Sequence, residues 1–130
     1  MMRKLSENEV MRAIIGELMD AGIPANLRGY EYIKDALRIV LEDPDKIHAA
    51  MKEIYPVIAE QYQLSVYTVE HSMRKAVEAC FERGDMDWIQ KRFGRQIDPK
   101  SGKLTNMAFI AGLADQIRLE LKAYDDDVEV

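Results

Sequence analysis

The sequence predicts an all-α domain, about six helices in a compact orthogonal bundle that contains a helix-turn-helix. Three observations predict it. Apolar residues recur at steps of three and four along most of the chain. No segment alternates with period two for long enough to be a strand. Glycine, proline and small polar residues break the apolar stripes at short intervals. The helical share comes to about two thirds, well above the ~30–35% of an ordinary soluble domain.

The first helix is expected over Glu7–Ala21, with Val10, Ile14, Ile15 and Leu18 inward and Gly22 as its C-cap. A second runs from about Leu27 to Leu41 on Tyr30, Ile33, Leu37 and Val40–Leu41. It stops at Asp43-Pro44, because the residue before proline resists helix. A third spans about Pro44–Ile54, with Ile47, Ala50, Met51 and Ile54 inward. Pro56 restarts a short helix that reaches Tyr62. Ser65 is expected to N-cap the longest helix, which ends at Arg83-Gly84. A short helix follows over Met86–Arg92, then a loop over Gly94–Leu104. The last helix runs from Asn106 to about Ala123, with Phe109, Ile110, Leu113, Ile117 and Leu121 inward. Residues 1–124 form one domain, and residues 125–130 are expected to be a disordered acidic tail.

Hydrophobic residues make up 48% of the 130, enough for one core. No apolar run approaches the ~20 residues of a membrane helix. The charged start has no apolar stretch behind it, so it is not read as a secretory signal. The single cysteine, Cys80, rules out an internal disulfide and points to the cytoplasm. The net charge of −5 argues against a nucleic-acid partner only until it is located. The tail from Asp125 carries −4, which leaves −1 for residues 1–124. From His71 to Lys103 there are eight basic residues against five acidic ones. A local basic region on a weakly acidic body is compatible with phosphate contact.

An enzyme finds little support. His48 and His71 lie on different helices with no carboxylate at metal spacing, and no glycine-rich phosphate loop is present. Cys80 falls on a core stripe, the usual place of a structural thiol. No cofactor and no metal are expected.

The informative stretch is Tyr55–Phe81. A short helix, the turn Gln63-Leu64-Ser65 and a longer helix make a helix-turn-helix. Ala59 is small where two helices must meet, and Leu64 is placed to plug the turn. Val66, Val69, Met73, Val77 and Cys80 form the inner stripe of the longer helix. At ~100° per residue, Tyr67, Glu70, His71, Arg74 and Glu78 share the face beside it, with Thr68 and Lys75 further round. Arginine pairs with guanine, histidine donates to an acceptor, and glutamate accepts from the cytosine amino group. An ordinary amphipathic helix with a wetted charged face accounts for the same pattern, and Gln63 stands where a turn glycine is common.

Longer stretches carry a resemblance. They are Gly22-Ile23-Pro24-Ala25, Gly29-Tyr30-Glu31-Tyr32, Tyr55-Pro56-Val57-Ile58-Ala59 and Val69-Glu70. Arg74, Ala76, Glu78, Arg83-Gly84, Phe93-Gly94, Lys103, Thr105-Asn106, Phe109-Ile110-Ala111 and Arg118-Leu119-Glu120 continue them. With these residues, ungapped from about Val10 to Ala123, the chain resembles the C-terminal effector domains of the stage 0 sporulation protein A family of response regulators.

The resemblance implies a cytoplasmic, helical transcription regulator that binds double-stranded DNA at a short TGTCGAA-type box. It implies tandem head-to-tail pairing on DNA and contact with the sigma subunit of RNA polymerase. The base-reading positions correspond to Glu70, His71 and Arg74. His71 and Thr68 stand where the family usually has arginine, and Lys75 where it usually has histidine, so the base facing His71 should be less strictly required. Ser65, Tyr67, Thr68, Lys75, Lys103, Thr105 and Asn106 complete the expected DNA contacts. The polymerase-facing surface corresponds to Gly84–Ile97, with Gly84, Trp88, Phe93 and Ile97 as contacts. A phosphorylatable receiver domain precedes this one in the family and is not encoded here, as expected of an excised domain or a stand-alone relative. The changed positions keep a second function open, a helical protein-protein interaction module derived from the same family.

Overall fold

The computed structural model describes the backbone of residues 6–128 and the side chains of residues 6–122. Among these residues there are seven α-helices, one 3-10 helix and no strand, close to the expected six helices. They are α1 (Glu7–Ala21), α2 (Arg28–Glu42), α3 (Ala50–Glu53), α4 (Tyr55–Tyr62), α5 (Val66–Arg83), α6 (Met86–Phe93) and α7 (Asn106–Val128). The 3-10 helix, Pro44–Ala49, precedes α3.

Helix α2 is the hub. Gly29, Tyr30, Tyr32, Ile33, Ala36, Leu37 and Val40 are all buried on it, and it touches α1, α4, α5 and α7. Its closest neighbour is α5. A Cβ on Gly29 would lie 2.1 Å from the Ser72 carbonyl oxygen and 2.9 Å from the Ala76 Cβ. Only a glycine opposite an alanine lets the two backbones approach this far.

Local chemistry sets most helix ends. The Ser6 hydroxyl accepts from the Glu9 amide at 3.2 Å, and acidic Glu7 and Glu9 sit at the positive end of the α1 dipole. Gly22 closes α1 in the left-handed conformation (φ 76°), as expected, and its amide returns to Met19. Asp85 caps α6 by accepting from the Asp87 amide at 2.8 Å. Thr105 caps α7 by accepting from Ala108 at 3.1 Å. At the far end of α2 the Arg118 guanidinium donates to the Val40 carbonyl at 3.0 Å, one of the oxygens that a helix end leaves without a partner.

Several expectations need correction. The segment after Asp43 is not one α-helix, because its first six residues wind as a 3-10 helix started by Asp43 and Pro44. At three residues per turn, Ile47 and Ala50 share a face and Met51 swings out. Ile47 and Ala50 are half-buried, and Met51 is 67% exposed. Leu64 does not plug the turn and is exposed. The longest helix does end at Arg83, and Gly84 follows it in extended conformation. Its lack of a side chain matters for room, because a Cβ there would meet the Cys80 and Ala21 carbonyl oxygens at 2.5 and 2.8 Å. Helix α7 runs on to Val128, past the expected end at Ala123, since no glycine or proline follows to stop it.

Among the described residues, the ion pair of Glu17 and Arg92 lies inside. Glu17 on α1 is 2% exposed, and Arg92 on α6 grips it with Nε at 3.1 Å and Nη2 at 3.0 Å. Arg92 also lies over the Trp88 ring, 5.1 Å from its centroid. Burial raises the Glu17 carboxyl above its ordinary value, and the Arg92 hydrogen bond and charge oppose that shift.

Two outcomes follow from these contacts. Gly29→Ala should cost at least about 3 kcal/mol in a urea titration, since the added methyl meets backbone rather than a movable side chain. Retention of full stability would show that α2 and α5 can part without loss. Arg92→Ala should cost about 3 kcal/mol near pH 7, because a buried carboxylate is left alone. A raised folded-state value means that Glu17 favours the folded state below its ordinary 4.5 and disfavours it as pH rises from there. Losing Arg92 removes the opposing influence, so the deficit against the parent chain should shrink between pH 7 and pH 5. An equal deficit at both pH values would mean that Glu17 is not the group left uncompensated.

Candidate nucleic-acid interface

Helix α4, its turn and α5 form the expected helix-turn-helix. The turn residue Gln63 adopts the left-handed conformation (φ 56°, ψ 48°) that usually calls for glycine. Its amide donates to Glu60 at 3.2 Å and the Leu64 amide to Ala59 at 2.8 Å, so two free carbonyls of α4 are met. Tyr62 holds the other side of the turn. Its hydroxyl donates to Asp35 at 2.6 Å, and its ring meets Tyr32 edge-on at 5.0 Å.

Helix α5 begins at Ser65, whose hydroxyl accepts from the Thr68 amide at 3.0 Å and lies 2.8 Å from the Thr68 hydroxyl. Val69, Met73, Ala76, Val77 and Cys80 are buried, while Val66 at the end of the stripe is only half-buried. Burial pushes the Cys80 thiol up to about 12, consistent with a structural residue. The opposite face is open. Tyr67 is 71% exposed, and its ring stacks on His71 at 5.8 Å with only 6° between the planes. Glu70 accepts from Arg74 Nη2 at 2.7 Å, one helical turn on. That hydrogen bond and the glutamate charge raise Arg74 further above its already high value. An exposed pair of this kind is weak in water, so a stronger acceptor can draw Arg74 away.

The tertiary structure adds the loop before α7 to this face. An open cavity of about 600 Å³ has Glu70 and Arg74 on one wall and Asp98, Lys103, Thr105 and Asn106 on the other. The loop is held in a tight turn by Asp98. Its carboxylate accepts from the Lys100 amide at 3.1 Å and the Ser101 hydroxyl at 2.9 Å, and its amide donates to the Lys103 carbonyl at 3.0 Å. The bonds from Lys100 and Ser101 hold the carboxyl below the usual carboxylate range. Asp98 and Ser101 were not singled out in the sequence, although Asp-Pro-x-Ser-Gly is a turn signature.

Other site residues are placed differently. Asn106 is 7% exposed, and its amide donates to the Tyr55 hydroxyl at 3.2 Å and the Glu70 carbonyl at 3.1 Å. It ties α4, α5 and α7 together, and no part of its side-chain nitrogen is left for a ligand. Lys75 is exposed on the far flank of α5, beside a different hollow bounded by Pro24, Asn26 and Glu82, away from Lys103. In the expected polymerase surface, Phe93 is 1% exposed and stacks on Phe109 at 5.1 Å, so it is a core residue. Trp88 and Ile97 are half-buried, and Gly84 sits between the ends of α1 and α5. His48 is exposed on the 3-10 helix, remote in sequence and element from His71. No group of three or more His, Cys, Asp or Glu among the described residues could hold a metal ion, and no described helix is long and apolar enough to cross a membrane.

The family model described as "Sporulation initiation factor Spo0A C terminal" matches residues 14–117 of this chain. The match takes in α1 from its second turn through the buried half of α7, and so the whole helix-turn-helix and the loop beside it.

Asn106→Ala should cost about 1–3 kcal/mol in thermal or chemical unfolding, because it removes the donor to a buried hydroxyl and to a half-buried carbonyl. A neutral result would show that water replaces the amide and that Asn106 does not hold α7 to α5.

Proposed function

Since the chain belongs to the family of Spo0A C-terminal domains, we propose that it acts as the DNA-reading effector of a transcription regulator, using α5 in the major groove. The family is one of DNA-binding sporulation-regulator domains, not of enzymes. One observation carries the finer reading. The exposed face of α5 and the basic loop at Lys103, distant in sequence, border one open cavity. A reader needs such a division, with base edges met by a helix and phosphates met by a flanking cation.

In this reading Arg74 meets a guanine, Glu70 accepts from a neighbouring cytosine, and Lys103 and the exposed Thr105 meet the backbone. Thr68 and Ser65, at the start of α5, lie where helix amides also face a phosphate. Lys75 reaches the other flank of the groove. Asn106 acts from behind, as a positioning residue for Glu70. The sigma subunit of RNA polymerase would meet the surface after α5 through Gly84, Trp88 and Ile97, with Phe93 supporting it from the core. Two copies would pair in tandem on adjacent boxes, and the site of action would be the cytoplasm.

Mobility shifts with a TGTCGAA duplex and a random duplex test this. Specific binding should fall steeply with salt as counterions are released. Arg74→Ala should lose roughly 1–3 kcal/mol on the box and little on random DNA. Lys103→Ala should weaken both about equally and flatten the salt slope by about one ion. Equal affinity for both duplexes, insensitive to salt, would favour the protein-interaction module instead.

A further inference from the structure

We infer that the stacked Tyr67–His71 pair is a thymine reader, an exposed aromatic plate that packs on the 5-methyl group with His71 Nε2 beside it. This rests on the DNA-binding reading above and names what the first turns of α5 recognise.

No lysine or arginine occurs from Leu64 to Met73, so the first cation of the recognition helix is Arg74. Yet the N-terminal turns of such a helix are those that reach base edges. The polar groups there are largely engaged already. The Ser65 and Thr68 hydroxyls bond each other at 2.8 Å, and Glu70, which holds Arg74 at 2.7 Å in the free chain, is assigned to the cytosine above. Tyr67 and His71 remain. Their rings lie 5.8 Å apart and within 6° of parallel, and Tyr67 is 71% exposed. The Nδ1 of His71 is closed off from solvent and has no hydrogen-bond partner, which leaves Nε2 as the ring's one atom free for a polar contact.

A flat aromatic surface suits one base edge in the major groove, the one that is itself partly apolar. Guanine shows two acceptors and is best held by a charged fork, which neither residue has. Cytosine shows an amino donor. Thymine alone shows a methyl group beside a single acceptor, O4. The plate covers the methyl and Nε2 meets O4.

The test uses the whole chain and two duplexes, one carrying TGTCGAA and one enriched from a library randomised over those seven bases. Each thymine on both strands is replaced in turn by uracil, which deletes only the methyl. At one thymine the replacement should weaken binding about fourfold, the worth of one buried methyl. Tyr67→Ala should abolish that penalty, and Tyr67→Phe should keep it. His71→Arg should turn the preference at that base towards guanine. Uracil tolerated at every thymine would overturn the inference, as would a penalty that persists in Tyr67→Ala. Either result would leave the DNA-binding reading standing if the box still outcompetes random duplex. Failure to enrich any sequence, with no preference for TGTCGAA, would overturn both.

Discussion

The placement of α5 depends on its contact with α2 at Gly29. Helix axes usually keep 8–10 Å apart because side chains intervene. Here a missing Cβ meets a backbone carbonyl and a methyl, so α5 settles onto α2 with almost nothing between them. The other inner residues of α5, from Val69 to Cys80, then have a fixed wall to pack against. A helix held along its whole inner face cannot roll. Its outer face, from Tyr67 through Arg74, is thereby presented at one angle.

Polar anchors finish what apolar packing begins. Apolar contacts are non-directional, so they fix depth better than rotation. Asn106 supplies the directional part, with one amide bridging α4 and the second turn of α5. The same residue opens α7, just after Lys103 and Thr105. Lys103 and α5 are therefore registered against each other through one buried side chain. On the other side of the molecule, Glu17 and Arg92 hold α6 against α1 in the same directional way.

A chain of net charge −5 suits a polyanionic partner only if its charges are sorted. The sorting is by position rather than by amount. Arg74 and Lys103 lie on either side of one cavity, and four of the acidic residues fall after Tyr124. Glu70 and Asp98 stand among the cations, each already engaged, Glu70 by Arg74 and Asp98 by its own turn. For the DNA reading proposed above, local neutralisation of this kind would weaken blind attraction to phosphate and leave a larger share of recognition to short-range contacts.

The sequence by itself determined the class, the order of helices, the turn at Gln63 and the inner stripe of α5. These depend on 3.6-residue periodicity and on residues adjacent in the chain, such as Ser65 with Thr68 or Gly22 after Ala21. It also carried the family, because the matching residues run through nearly every element. Only the tertiary structure decided which polar residues face outward together. Asn106 and Phe93 read as surface contacts in the sequence and are buried, since their environments are made by Tyr55, Glu70 and Phe109 from other helices. The 3-10 winding after Asp43 turned Met51 outward, a change of phase that composition does not show. The separation of Lys75 from Lys103, and the pairing of Lys103 with Arg74 across a cavity, came from the loop folding back on α5. Periodicity fixes which side of one helix is apolar. It does not say which neighbour covers that side, nor what stands beside the face left open.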